Sequence, residues 1–261
     1  MKAFVFDTET TGLERGSRVV ELAAIKFDET GVIDRFETLV NPQMFIPADA
    51  TKTHGITDEM VDGAPLLADV MEKFNAWRED IPVAVAHYAL YDTGVLSWDL
   101  GRIGAALPFD LTVVDTCEIA RALGVTKKNN LDTLVEHYGI TRIGTAHRAM
   151  SDADACLQYL LKVSGGGASW PGKPWDAAGH DYRFTLDLPP NLADLPTRVG
   201  TGQPITFLYE DDKGTQTERT VTPYGWAERT DHPGTVYFHG LCHLRGERRT
   251  FRADRVLEVA A

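Results

Sequence analysis

Ala3-Phe4-Val5-Phe6-Asp7-Thr8-Glu9-Thr10-Thr11-Gly12 opens with four apolar residues whose length and composition suit a buried strand. Two carboxylates stand where that strand ends. Side chains alternate along an extended chain, so residues two apart share a face and Asp7 and Glu9 can serve one cation. Asp92 closes the run His87-Tyr88-Ala89-Leu90-Tyr91-Asp92, just after the short apolar strand Val83-Ala84-Val85-Ala86, where it can approach the Asp7 strand end. Asp152 follows His147 by five residues, a spacing that a loop-to-helix turn can fold onto the same metal.

Outward from this stretch, Val19 to Phe27 and Val32 to Leu39 are expected to pair as a hairpin around Glu29-Thr30-Gly31. Leu67, Val70, Met71, Phe74 and Trp77 fall at helical spacing, and a helix is expected from Tyr91 to Ile103. Leu111 to Val114 suits a strand. Helical patterns follow at Thr116 to Leu123, Leu131 to Tyr138 and Ala149 to Lys162. The sum is a mixed α/β sheet over residues 1–163. Ser164-Gly165-Gly166-Gly167-Ala168-Ser169 starts an expected flexible linker over 164–202, in which Trp170 and Trp175 could dock or stack. Residues 203–261 change class. Short β-rich runs at Ile205 to Tyr209, Thr217 to Thr222, Val236 to His239 and Arg248 to Arg252 predict a small β-barrel.

The 261 residues are 43% hydrophobic, which excludes wholesale disorder and suits two domains. Cys117, Cys156 and Cys242 are far apart with no CxxC pair, so they are expected as reduced core thiols. The four apolar residues before Asp7 are too few for a signal-peptide core, and no apolar run is long enough to span a bilayer. A cytoplasmic protein without membrane association is the expectation. The net charge of −12 argues against coating nucleic acid by electrostatics alone. Residues 1–163 hold 15 Lys/Arg against 25 Asp/Glu, and the remainder holds 11 against 13, so the acidity sits where the candidate metal ligands are. Divalent cations there would reverse the local charge at the place a phosphate must bind.

Asp7, Glu9, Asp92 and Asp152 offer hard oxygen ligands of the kind Mg²⁺ and Mn²⁺ prefer. A pair of such ions about 3.5–4 Å apart can activate water, neutralise phosphoryl oxygens and support a departing oxygen. Imidazole titrates near neutrality, so His147 fits a general base. Any single Asp among 38 acidic residues reads first as a solvated charge or helix cap, and Asp115 and Asp154 keep that reading. It is the ordered set that points to a metal-dependent nuclease.

These residues, together with His54-Gly55-Ile56-Thr57, Val114-Asp115-Thr116, Asn130-Leu131 and His147-Arg148-Ala149, resemble the DEDD exonucleases of the histidine subtype, the DnaQ-like 3′-to-5′ exonucleases. The resemblance spans roughly residues 1–163 and implies a ribonuclease H-like fold with two Mg²⁺ or Mn²⁺ ions. It implies that Asp7 bridges both metals, Glu9 and Asp152 serve the metal holding the nucleophilic water, Asp92 supports the other, and His147 takes the proton. It further implies that backbone groups near Thr10 and Thr11 hold the terminal nucleotide, that Leu13 and Ile56 wedge against its base, and that His54 lies near the strand path. His54 is balanced between that contact and a structural loop role, and His87 is expected to orient the strand end. Tyr88 departs from the family, where Asn is common, and Leu90 departs where an aromatic is common.

The C-terminal segment resembles the WYL family of Sm- or SH3-like barrels, through Phe207-Leu208-Tyr209, Arg219 to Pro223, Val236 to Gly240 and Arg249 to Val256. Members are thought to bind nucleic acid or small nucleotide ligands. Arg245, Arg248, Arg249, Arg252 and Arg255 form a basic cluster interleaved with Tyr237 and Phe251, and Arg249 and Arg252 are candidate phosphate contacts. A solvated strand face is the alternative. His239, Cys242 and His243 lack a fourth zinc ligand at suitable spacing.

The expectation is therefore a 3′-to-5′ exonuclease acting on single-stranded DNA or a 3′ terminus, with a tethered barrel that guides or regulates it. No clamp-binding segment or polymerase association is indicated. A ribonuclease of the same superfamily and a non-catalytic nucleic-acid-binding regulator remain open as alternatives.

Overall fold

The structure is a computed structural model that describes residues 2–13, 16–79, 81–102, 112–165, 175–176, 188–195, 197–198, 202–228 and 235–260. Of residues 102, 175, 176, 224, 225, 227, 228 and 248 it describes the backbone alone. Ile103 and Leu111, expected at element ends, and Trp170 lie outside the described residues. The chain forms two compact units: Met1–Gly12, Arg18–Pro42 and Ile46–Tyr182 in one, Leu13–Ser17, Gln43–Phe45 and Arg183–Ala261 in the other.

The first unit is built on β1 (Ala3–Thr10), β2 (Val19–Asp28), β3 (Gly31–Leu39), β4 (Val83–Ala86), β5 (Thr112–Asp115) and the two-residue β6 (Trp175–Asp176), in the order β3-β2-β1-β4-β5-β6. β1 pairs antiparallel with β2 and parallel with β4, so the sheet is mixed. The two faces of β1 go to two different layers. Ala3 and Val5 face a core shared with Ala153, Cys156, Leu157 and Leu160 of the last helix, α7 (Ala149–Ser164). Phe4 and Phe6 face a core shared with α3 (Leu67–Arg78) and α4 (Ala89–Arg102), where Phe4 meets Phe74 edge-on at 5.6 Å. Fully burying an aromatic of this kind stabilises by roughly 1.5–3 kcal/mol. A polar residue at either position would separate one helical layer from the sheet.

Short helices α1 (Ala48–His54) and α2 (Asp58–Val61) follow β3, and α5 (Thr116–Leu123) and α6 (Leu131–His137) precede α7. The sequence pattern does not reveal α1 and α2, which are too short and polar to show helical periodicity. α7 includes Ser164 and stops at Gly165, whose φ of 65° is the left-handed cap glycine allows. The residues beyond Gly165 in the glycine run lie outside the description.

The second unit holds β7 (Ile205–Glu210), β8 (Gln216–Glu228), β9 (Val236–Cys242), β10 (Glu247–Arg252) and β11 (Val256–Val259) in the antiparallel order β10-β9-β8-β7-β11. β9 shows the alternation of a half-buried strand: Val236, Phe238, Gly240 and Cys242 point inward, Tyr237, His239 and Leu241 outward. Phe207, Phe238 and Phe251 form its centre, with ring centroids 5.3–5.4 Å apart. Gly240 is required by packing, since a Cβ there would stand 2.2 Å from Val221 Cγ1. Leu192 and Leu195, within the range expected as linker, belong to this core, and Trp175–Asp176 in the same range pairs with β5. All three cysteines are free and buried. No helix of the described residues is long and apolar enough to cross a membrane.

Candidate active site

Because β1 alternates, Asp7 and Glu9 extend the face that carries Ala3 and Val5, the face covered by α7. Asp152 sits in the first turn of that helix. Carboxylate oxygens of Asp7, Glu9 and Asp152 accordingly come within 4.8 Å of one another. Thr8 points the opposite way, toward α4. There its N–H and hydroxyl both donate to Asp92 Oδ1, at 3.0 and 2.6 Å. Asp92, in the first turn of α4 and 3% exposed, is thus locked to the residue between Asp7 and Glu9.

Placing these carboxylates together out of water is electrostatically costly. Burial, then the charges of Asp92, Glu9 and Asp152, hold the Asp7 carboxyl well above its ordinary range. Burial and the neighbouring Asp152, Glu21 and Asp92 push Glu9 to about 8, against a smaller opposing effect of Arg148. Burial lifts Asp92 to about 7, although its bonds from Thr8 pull the other way. Asp152 is raised by burial too, with Arg142 opposing. Hard divalent cations fit this donor set: oxygen ligands from separate elements, converged and carrying more negative charge than nearby arginines offset.

The corner before α7 is held from two sides. Glu21, fully buried on β2 and directly opposite Glu9, accepts from Arg148 Nε at 3.1 Å, from Arg148 Nη2, and from the Ala149 N–H at 2.9 Å. Arg142 bridges Asp152 and Asp132. His147 lies between these anchors with φ 58°, a left-handed conformation that is strained for a residue with a side chain. Its side chain is exposed and its N–H donates to Asp152 Oδ2 at 3.2 Å.

The residues expected to touch substrate are placed less uniformly. Thr10 and Thr11 are buried. The Thr10 hydroxyl donates to the Gly12 carbonyl at 2.8 Å, while the Thr11 N–H and hydroxyl are both engaged by Arg18. His54 is 5% exposed; its Nδ1 accepts from the Ile56 N–H at 3.0 Å, which leaves the proton on Nε2 to meet the Thr10 carbonyl at 3.2 Å. Burial pushes its pKa down, keeping it neutral. Between its two possible roles, the geometry is that of a structural brace on the β1 end. Ile56 is enclosed by Val20, Ile46 and Val61, so the wedge expected there is at odds with its position. Leu13, in contrast, is 85% exposed.

Arg249 and Arg252 do not share a face. Three residues apart on β10, they stand opposite inward-facing Gly240 and outward-facing Tyr237, because side chains alternate with a period of two. Arg249 reaches Glu247 at 3.4 Å, and Arg252 makes a two-pronged pair with Asp254 at 3.0 and 2.7 Å.

Asp115 is structural, accepting from the N–H groups of Tyr88, Ala89 and Cys117. Asp154 pairs with Arg35 at 3.1 Å, and His87 Nδ1 meets the Thr116 hydroxyl at 2.9 Å. Tyr91 and Arg142 are site residues that the sequence pattern alone does not mark as such. Tyr91 donates to the Gly12 carbonyl at 2.7 Å and meets the Thr10 hydroxyl at 2.6 Å, fixing the backbone beyond Glu9. Its place just before Asp92 was the available signal. Nothing local marks Arg142, which earns its role only through chain folding.

Residues 4–160 match the family model RNase_T, described as an exonuclease, and residues 190–261 match the WYL domain model. The chain is 38% identical over 161 residues to a PolC-type DNA polymerase III of Caldanaerobacter subterraneus subsp. tengcongensis, a match that takes in 61% of this chain but 11% of that protein. It is 36% identical over 162 residues to the DNA polymerase III epsilon subunit of Treponema pallidum, covering 60% of this chain and 74% of that one. Among solved structures it is similar to exonuclease X in complex with 5′ overhanging duplex DNA, at 28% identity and TM-score 0.51, covering 62% of this chain and 93% of that chain.

Proposed function

Since the chain belongs to the exonuclease family by its match over residues 4–160, we propose that it is a metal-dependent 3′-to-5′ exonuclease that shortens DNA from a single-stranded 3′ end and releases nucleoside 5′-monophosphates. The observation that carries this reading is the convergence of Asp7, Glu9 and Asp152, from elements far apart in sequence, within 4.8 Å. Asp7, Glu9 and Asp152 would hold one divalent cation, Mg²⁺ or Mn²⁺, and Asp92 would help hold a second. Bound cations would supply the charge that stabilises the phosphoryl oxygens and the departing oxygen.

The remaining work falls to the chain itself. His147 accepts the proton of the attacking water as its oxygen bonds to phosphorus. The P–O3′ bond breaks, and the departing oxygen takes a proton from solvent water to become the new 3′-hydroxyl of the shortened strand. Glu21 and Arg148 hold the turn that presents His147, and His54 and Tyr91 hold the Thr10–Gly12 backbone against the incoming nucleotide. DNA as the substrate is supported by the relatives being parts of DNA polymerases and by the exonuclease X complex. Residues 1–163 act as the nuclease and 203–261 as a guide for the strand, with Arg249 a candidate contact; of the residues between, Trp175–Asp176 pairs with β5 and Leu192 and Leu195 join the second core.

The test is degradation of 3′-labelled and 5′-labelled single-stranded DNA and RNA with Mg²⁺, Mn²⁺ or EDTA. Release of mononucleotides from the 3′ end, dependent on metal and lost in Asp7→Ala, is expected. Intact strands under every condition would leave a non-catalytic binding role instead, and faster loss of RNA would make the enzyme a ribonuclease.

A further inference from the structure

Tyr88 sits at the mouth of α4 in a conformation that residues other than tyrosine adopt more readily. Its φ is 65°, a left-handed conformation that is unfavourable for a bulky residue. Glycine takes it freely and asparagine is enriched there. The strain is imposed from below: buried Asp115 accepts from the Tyr88 N–H at 3.0 Å and from the Ala89 N–H at 3.1 Å, while the Tyr88 carbonyl accepts from the Tyr91 N–H at 2.9 Å. In return the ring contributes little to the core, because Tyr88 remains 50% exposed. A strained backbone that presents a half-bare aromatic points to a bound partner rather than to folding.

Its position says what that partner is. Tyr88 immediately precedes α4, and its carbonyl accepts from the N–H of Tyr91, whose hydroxyl meets Thr10 and the Gly12 carbonyl at the end of β1. Asp92 is fastened to Thr8, between Asp7 and Glu9. A flat ring at the helix end that carries Asp92 matches the flat face of a nucleobase, and aromatic side chains stack bases without regard to sequence. We infer that Tyr88 is a base-stacking platform that grips the unpaired 3′ end of the strand next to the bond being cut. The inference rests on the exonuclease reading and deepens it. Stacking needs an unstacked base, so it selects single strands without selecting sequence.

Full-length Tyr88→Asn and Tyr88→Phe are compared with the parent chain on a 5′-labelled oligodeoxythymidylate in Mg²⁺. Tyr88→Asn should melt no lower than the parent, since Asn tolerates the backbone. Its KM should rise about tenfold with kcat within about twofold, and Tyr88→Phe should keep the parent KM. An oligonucleotide abasic at its two 3′-terminal positions should raise the parent KM similarly and abolish the difference between parent and Tyr88→Asn, because the ring then has no face to meet. A Tyr88→Asn KM within twofold of the parent, or a Phe variant as impaired as Asn, overturns the stacking role while leaving the nuclease intact. A parent chain that shortens no strand overturns both together.

Discussion

Glu9 at the end of β1 and Arg252 at the end of β10 are both charged residues on strands that sequence reading marks as binding positions, yet their surroundings differ in kind. Glu9 is half-buried beside Asp7, Asp152, Glu21 and Asp92, and its pKa climbs to about 8. Arg252 is half-buried and already satisfied by Asp254 two residues on. One arrangement stores electrostatic free energy that a cation can release; the other has little to release, since surface pairs contribute about 0–1 kcal/mol. A binding centre is thus distinguished by unsatisfied charge held in place against its own repulsion, rather than by the number of charges. The first unit meets that description and the arginine strand of the second does not.

That contrast can be broken most directly at the metal ligands. Asp7→Ala should abolish mononucleotide release, as should EDTA, while re-adding Mg²⁺ should restore the parent chain alone; equal turnover in Asp7→Ala would remove the cluster from the chemistry. His147→Ala should lower kcat by about 10²–10⁴-fold, the usual contribution of a positioned base, with Mn²⁺ affinity by calorimetry unchanged.

Next in size is the Glu21–Arg148 pair. Arg148→Ala strips a buried carboxylate of its fork and should cost about 2–3 kcal/mol in urea unfolding, less than a fully buried pair because Arg148 is partly exposed. A loss under 0.5 kcal/mol would mean that the α7 corner is held by other contacts.

The pH dependence follows from the raised carboxyls. In the folded chain Glu9 keeps its proton up to about 8 and Asp92 to about 7, whereas the unfolded chain releases both near the ordinary carboxylate range. Their stabilisation is therefore complete at low pH and drains as pH rises toward 8. The Tm in EDTA should fall between about pH 5 and 8, and saturating Mg²⁺ should flatten the fall by favouring the ionised carboxylates. A Tm that rises across this window would contradict the electrostatics described here.

The smallest effect should come from the arginines. Arg249→Glu with Arg252→Glu should change stability by less than about 1 kcal/mol. If the second unit guides the strand, the pair should also weaken oligodeoxythymidylate binding and reduce its salt slope; an unchanged slope would end that role.

Much of the site was legible because its chemistry is local. Asp7 and Glu9 advertise themselves by alternation at a strand end, and Asp152 by its place at the start of an amphipathic helix. His54 and Ile56 were legible as a motif but not as roles: only the fold shows that both nitrogens of His54 meet backbone groups and that Ile56 is enclosed. Arg249 and Arg252 erred in the other direction, since an odd separation on a strand splits a cluster that looks continuous in one dimension.

Local pattern alone therefore determined the mixed α/β unit, the β-rich unit and the identity of the candidate ligands, because hydrophobic period and residue chemistry act over a few positions. Tertiary structure decided the rest. Which face of β1 meets α7, that Asp92 is reached through Thr8, and that Arg148 closes on Glu21 across the sheet depend on layers brought together from distant parts of the chain. The pKa shifts depend on the same assembly, for burial and like charge act through space and exist only once those layers have closed.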